Sequence, residues 1–274
     1  MMKKFLSILM AAAMLLSVCA LSACGGGEEP APETEGTEVT EPAEGGDAGF
    51  TTITEGVLTM STNATFPPYE STTDAGGFEG IDIEIAGAIA EKLGLELQID
   101  DMDFDASLLA AQEGKSDMVM AGLTVNEDRL LVMDFSETYA TGVQVVIVPE
   151  GSDVTLDNLG EKMIGTQRGT TGNIYCTDDY GEDHVIAYDD GIAAVQALKN
   201  GQVDCVVIDN APAQAYVAAN EGLTILDTEY VTEDYAIGFA KGNTELVEAV
   251  NEALAELIAD GTVQAIIDKY IPAE

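Results

Sequence analysis

The sequence predicts an α/β fold built of two small units, the second inserted into the first. Three observations carry that reading. From Val57 onward, apolar runs of strand type alternate with helical periodicity, the pattern of α/β architecture with largely parallel sheets. No internal repeat recurs at a solenoid period. A chain of 274 residues, 46% hydrophobic, can fill one large core or two small ones. Two strands, near Tyr139 to Val143 and Thr232 to Ala236, are expected to cross between the units.

Val57 to Thr62 reads as the first strand, and Asn63 to Tyr69 as a loop broken by Pro67 and Pro68. Ile81, Ile85, Ile89 and Leu93 share one face of a helix that Gly94 ends. Asp82 lies at its start, where a carboxylate suits the helix dipole. A strand (Leu95, Leu97, Ile99) and a helix over Ala106 to Gln112 follow. Met118 to Ala121 is a short apolar strand that turns at Gly122 to Thr124 and opens a helix near Asn126. Thr141 to Val148 and Lys162 to Gln167 are strands, and the turn Arg168 to Asn173 starts another helix. The remaining body reads as helix Ile192 to Leu198, strand Cys205 to Ile208 ending at Asp209, and helix Pro212 to Ala219. Strands Leu223 to Leu226 and Tyr235 to Ala240 then lead to closing helices Thr244 to Ala259 and Val263 to Tyr270.

Charge narrows the function. Ten basic residues stand against fifty acidic ones, which argues against nucleic acid and anionic lipid surfaces as partners. Only two of the ten are arginines, Arg129 and Arg168. A guanidinium grips a carboxylate with two parallel hydrogen bonds, so Arg129, just past a strand and turn, is a candidate anion clamp. The single histidine, His184, excludes a multi-histidine zinc site and is expected to be solvated or to cap. No Walker-type or nucleophile-elbow motif is present.

The N-terminus reads as a leader. Lys3 and Lys4 precede an apolar run from Phe5 to Leu16, too short for a stable membrane span. Leu21-Ser22-Ala23-Cys24 resembles the lipobox of bacterial lipoproteins, which implies cleavage before Cys24 and a lipid on its sulfur. From Gly25 to about Phe50 the chain is rich in Gly, Pro, Thr and Glu with no basic residue, the composition of an extended tether. Cys176 and Cys205 remain; they either pair or stay as buried thiols.

Four features fall at strand ends: Asn63 with Phe66, Gly122 to Arg129, Arg168 to Gly172, and Asp209. Ligands of open α/β sheets sit there. A cation and a helix start for a carboxylate, an anion for an ammonium and aromatics for a stem describe an amino acid.

From about Gly56 to Ile271 the sequence resembles the family 3 extracellular solute-binding proteins of amino-acid ABC transporters. TFPPYE (Thr65 to Glu70), GIDIEIAGAIAEKLG (Gly80 to Gly94), MDF (Met102 to Phe104) and SDMVMAGLTVNEDR (Ser116 to Arg129) carry the resemblance. DFSETY (Asp134 to Tyr139), RGTTG (Arg168 to Gly172), VDCVVIDN (Val203 to Asn210) and NEALAELIADGTVQAIIDKY (Asn251 to Tyr270) extend it.

The resemblance implies a periplasmic-binding-protein-like type II fold, with two Rossmann-like lobes joined by two crossover strands. Residues 1–23 would be the signal peptide and 24–52 the lipidated cysteine and tether. Lobe 1 would take 53–142 and 234–274, and lobe 2 the insert 143–233. By residue match Arg129, Thr124 and Thr171 would hold the α-carboxylate. Asp209 and the Gly122 carbonyl would take the α-ammonium, and Phe66 and Phe104 would sandwich the side chain. Asn63 and Gln167 would touch its end; Ala121 and Thr170 complete the lining. Many relatives carry Asp at position 63; the Asn here, with an apolar Ile208, favours a polar or neutral ligand.

Taken alone, these residues have plainer uses. Arg129 could pair with Glu127 or Asp128 on the surface, Phe66 and Phe104 could be core, Asp209 could cap the next helix, and Arg168 could be solvated. The expected function is a lipid-anchored monomer on the outer face of the cytoplasmic membrane. It would deliver an amino acid to the transmembrane subunits of an ABC permease, without cofactor or metal and without catalysis. The alternatives are an enzyme on the same scaffold, resembling cyclohexadienyl dehydratases, or a ligand-sensing module.

Overall fold

The structure, a computed structural model, describes residues 49–227 and 229–272. The leader, Cys24 and nearly all of the expected tether lie outside the described residues.

The first lobe opens with β1 (Val57–Thr62), then a small ribbon of β2 (Thr65–Phe66), β3 (Glu70–Thr72) and β4 (Phe78–Glu79). Next come α1 (Ile81–Leu93), β5 (Glu96–Asp101), α2 (Phe104–Gln112), β6 (Met118–Val119), α3 (Glu127–Val132) and β7 (Met133–Phe135). The long strand β8 (Ala140–Pro149) leads into the second lobe. There β9 (Ile164–Gln167), α4 (Thr171–Tyr180), β10 (Val185–Tyr188), α5 (Gly191–Lys199) and β11 (Cys205–Asp209) follow. After α6 (Asn210–Ala219) and β12 (Leu223–Ile225), β13 (Val231–Tyr235) returns the chain. β14 (Gly238–Ala240), α7 (Thr244–Ala259) and α8 (Thr262–Tyr270) finish the first lobe.

Among the described residues the first lobe's sheet runs β5-β1-β6-β14-β7, and the second lobe's runs β10-β9-β11-β8-β12, with β13 beside β8. Each is mixed, where largely parallel sheets are expected from the sequence. β1 pairs in parallel with β5 and β6, and β9 with β10 and β11. The strands that carry the chain out and back run antiparallel to their neighbours: β8 against β11, β12 and β13, and β14 against β6 and β7. A chain that leaves one lobe and returns beside its own path must produce antiparallel pairs.

Helical periodicity finds its sheet. Ile81, Ile85 and Ile89 of α1 are fully buried, each contributing roughly 1.5–3 kcal/mol, and Gly94 ends the helix in the left-handed region. Leu246, Val250, Leu254 and Leu257 of α7 are buried in the same way. The strand expected over Met118 to Ala121 pairs only through Met118 and Val119, with Met120 N–H donating to the Ser61 carbonyl at its end. The loop expected over Asn63 to Tyr69 contains β2, the first strand of the small ribbon. The strand expected over Tyr235 to Ala240 is two. After Tyr235 the backbone leaves β8, Ala236 N–H donates to Leu123, Ile237 N–H donates to Ser136, and Gly238 joins β6. Cys176 and Cys205 are both buried free thiols, pushed up to about 12 by burial.

Gly80, which precedes α1, has φ 135°, and a Cβ there would collide with the Tyr69 carbonyl. Gly80→Ala is expected to cost about 2–4 kcal/mol through strain and overpacking. A thermal melt would read this as a fall of roughly 5–15 °C.

Candidate functional site

The first lobe's wall is built on the turn after β6. Gly122 has φ 52°, and a Cβ there would lie 2.7 Å from the Phe66 ring. Only glycine lets that ring close against the turn. Gly122 N–H donates to Asp82 Oδ2 at 2.9 Å, and Tyr139 O–H donates to Oδ1 at 2.7 Å. Asp82 lies in the first turn of α1, as its place in the sequence suggests, and also serves this turn. It is fully buried, its carboxyl is pushed up to about 6 by that burial, and it holds the Gly122 turn in place.

Asn126 caps α3 by accepting Arg129 N–H at 2.8 Å. The helix then presents Arg129, which is 7% exposed. Its guanidinium donates to the Thr124 carbonyl at 2.7 Å and, across the crease, to the Gly169 carbonyl at 3.2 Å. It also lies 5.5 Å from the centre of the Phe104 ring. Among the described residues it forms no ion pair, so pairing with Glu127 or Asp128 on the surface is excluded as its use. Burial lowers it to about 10, with the field of Glu233 opposing; it stays cationic at neutral pH. The fork retains N–H donors beyond those given to the two carbonyls.

The second lobe's wall starts at Gln167, where β9 ends. Thr170 caps α4, accepting Asn173 N–H at 3.3 Å, and Thr171 Oγ1 donates to Glu233 Oε2 at 3.0 Å. Arg168 is outside this wall, exposed and paired with Asp189 at 3.1 Å. Asp209 ends β11 and is buried, but its side chain does not cap α6. It accepts from Gln144 Nε2 at 2.9 Å and from the Tyr235 hydroxyl. Burial pushes its carboxyl up to about 7; the Tyr235 and Gln144 donors oppose the shift and Glu233 adds to it. Gln144 Nε2 also donates to Glu233 at 2.9 Å, so one amide ties two carboxylates on crossover strands and second lobe together.

At the far end Asn63 Nδ2 donates to the Met102 carbonyl at 2.9 Å. Its Oδ1 accepts from Gln167 Nε2 and Thr65 Oγ1, each at 2.9 Å. One narrow cavity in the crease is lined by all eleven residues assigned to a ligand in the sequence, and additionally by Glu70. Phe66 and Phe104 are buried against it, so their apolar packing and their place in the lining coincide.

Glu70, Asp82, Gln144, Glu233 and Tyr235 shape this cavity and were not assigned to it from sequence. A polar residue inside the apolar run Thr141 to Val148 was the available signal for Gln144. Among the described residues no group of His, Cys, Asp or Glu could hold a metal ion, and no helix is long and apolar enough to cross a membrane.

Two α/β lobes joined by paired strands, with a polar cavity in the crease, define a solute-binding protein of the two-lobed type. The chain belongs to the bacterial extracellular solute-binding proteins, family 3, whose model matches residues 58–273. It is 31% identical to a probable histidine-binding protein of Neisseria gonorrhoeae, over all of this chain and 97% of that one. An ancestral arginine-binding protein bound to glutamine superposes with a TM-score of 0.76 at 39% identity, covering 80% of this chain and all of that one. The arginine-, lysine-, histidine-binding protein ArtJ of Geobacillus stearothermophilus superposes at 0.75 with 30% identity, covering 79% and 96%.

Proposed function

We propose that this protein captures a free α-amino acid outside the cytoplasmic membrane and delivers it to the transmembrane subunits of an ABC importer. One observation carries the reading: Arg129 of the first lobe and Asp209 of the second line the same cavity, both buried. Arg129, with Thr124 and the α4 start at Thr171, takes the α-carboxylate. Asp209, with the Gly122 carbonyl, takes the α-ammonium. Phe66 and Phe104 hold the stem between them; Gln167, Asn63, Ala121 and Thr170 complete the enclosure. Relatives whose names specify histidine, cystine and arginine support an amino acid as the ligand.

The signal at residues 1–23, lipidation at Cys24 and the acidic tether to residue 52 keep the body as a monomer at the outer face of that membrane. The lobes, 53–142 with 234–274 and 143–233, close on the ligand by hinge motion along β8 and β13. The protein catalyses nothing in this reading. Asp209 lines the cavity with its carboxyl raised to about 7, a value suited to proton transfer; turnover of prephenate or arogenate would transfer the assignment to a dehydratase.

A thermal-shift screen of the common L-amino acids tests the proposal. Ligand at about 100-fold over Kd adds about 2.7 kcal/mol, a rise of roughly 5–10 °C for a body of this size. If no amino acid moves the midpoint, the capture reading fails.

A further inference from the structure

We infer that Glu233, on the returning crossover strand, is a positioning residue for both groups with which the second lobe grips the ligand: the α4 start at Thr171 and the carboxylate of Asp209. The inference rests on the reading of the cavity as an amino-acid site, and it deepens that reading.

Glu233 is buried but is not among the residues that line the cavity. The sheet explains what it reaches. Gln144 of β8 stands opposite Asp209 of β11 and opposite Val231 of β13. Residues two apart on a strand share a face, so Gln144, Asp209 and Glu233 point the same way. That face is the one the α4 start covers: a Cβ on Gly172 would lie 2.8 Å from Gln144 Oε1. Thr171 Oγ1 and Gln144 Nε2 both donate to Glu233 Oε2, at 3.0 and 2.9 Å, and the same amide donates to Asp209 at 2.9 Å. Two residues on, Tyr235 passes over Gly142, where a Cβ would collide with its hydroxyl, and gives that hydroxyl to Asp209. β13 therefore holds Thr171 directly, and Asp209 through Gln144 and Tyr235.

This anchoring decides what Thr171 offers. Its hydroxyl has one proton, and Glu233 takes it. The backbone N–H groups of the α4 start, rather than the hydroxyl, are then left for a carboxylate. Without Glu233, the Thr171 and Gln144 side chains would regain freedom that binding must remove again.

Glu233 also acts through its charge. The charged and titratable groups that face it are Asp209 of β11, Arg129 of α3, Tyr175 of α4 and Tyr235 of its own strand. Asp209 is faced in addition by Tyr69, Glu70 and Tyr216. After burial, and against the Tyr235 donor, Glu233 raises the Asp209 carboxyl. Two variants separate anchor from charge. Glu233→Gln keeps an oxygen for Thr171 and Gln144 and removes the charge; Glu233→Ala removes both.

Calorimetric titration from pH 5 to pH 8 tests this, using the common L-amino acid that raises the melting midpoint most. At pH 8 Glu233→Ala is expected to bind about 10-fold to 100-fold more weakly than the unaltered protein, the effect of leaving the Thr171 and Gln144 donors unpaired. Glu233→Gln should stay within about threefold of the unaltered protein there. Its loss of affinity on acidification should begin about half a pH unit or more lower, because Asp209 ionises more readily without a like charge beside it. A purely structural role would leave that midpoint where it is. The inference is overturned if Glu233→Ala binds at pH 8 as the unaltered protein does, or if Glu233→Gln is as weak as Glu233→Ala. It is also overturned if the pH profile of Glu233→Gln superposes on that of the unaltered protein. The profile stands without Glu233→Ala, so failure of that variant to fold does not blunt the test. If an amino acid binds and both variants match the unaltered protein, the capture reading survives and this inference does not; if no amino acid binds, both are lost.

Discussion

Arg129→Ala is expected to abolish measurable amino-acid binding while leaving the body folded. Arg129 is the buried cation of the crease, and no carboxylate among the described residues lies within ion-pairing distance of it. A ligand carboxylate placed against it would meet a preorganised fork, held by the Thr124 and Gly169 carbonyls and by the Phe104 ring. Removing one partner of a buried, hydrogen-bonded charge pair costs about 2–5 kcal/mol, which is roughly 30-fold to several thousand-fold in affinity. The fold loses less. The two carbonyls lose donors at the edge of a cavity, a cost of about 1–3 kcal/mol in a body whose buried isoleucines and leucines are untouched. Arg129→Lys separates charge from geometry: it keeps the cation and loses the two-pronged contact, so its affinity should fall between the other two. Calorimetry on all three proteins, with circular dichroism to verify folding, gives the answer. Wild-type affinity in Arg129→Ala would remove the clamp from the mechanism.

How far this site was legible in the sequence follows from which forces are local. Arg129 stood out because cations are scarce in this chain, and Asp209 because it ends a buried apolar run. Periodicity placed α1 and α7, whose buried faces are spaced as a helix requires. The unread part depends on contacts distant in sequence. Asp82 looked like an ordinary first-turn carboxylate until the turn at Gly122, 40 residues on, supplied its donor. Glu233 and Gln144, 89 residues apart, meet only because β8 and β13 lie side by side. The break at Ala236 and Ile237 has no local signature: those residues change partners from one sheet to the other while keeping an apolar sequence. Glu70 directly follows the segment Asn63 to Tyr69 that the two prolines marked as loop, and no periodicity there indicates which side chains point inward.

Ligand affinity is expected to fall by about two orders of magnitude between pH 8 and pH 5. Asp209 must be ionised to receive an ammonium, yet its carboxyl titrates at about 7 because burial disfavours the charge, with Glu233 adding repulsion. Below that pH the ligand must displace a proton, and affinity drops roughly tenfold per unit. Stability of the free protein should move the opposite way. A carboxyl whose folded value lies above its unfolded value holds its proton longer in the native state. Asp209, and Asp82 at about 6, therefore contribute most below about pH 4 and lose that contribution as pH rises toward 6 to 7. Surface carboxylates paired with lysine, such as Glu84 and Asp134, are lowered and act in the reverse sense, but exposed pairs contribute little. The free protein should thus melt at a lower temperature at pH 7.5 than at pH 5, while the ligand-induced rise should be larger at pH 7.5. Asp209→Asn should bind weakly and lose most of the pH dependence. A wild-type affinity that is flat from pH 5 to pH 8 would mean that Asp209 does not hold the ammonium.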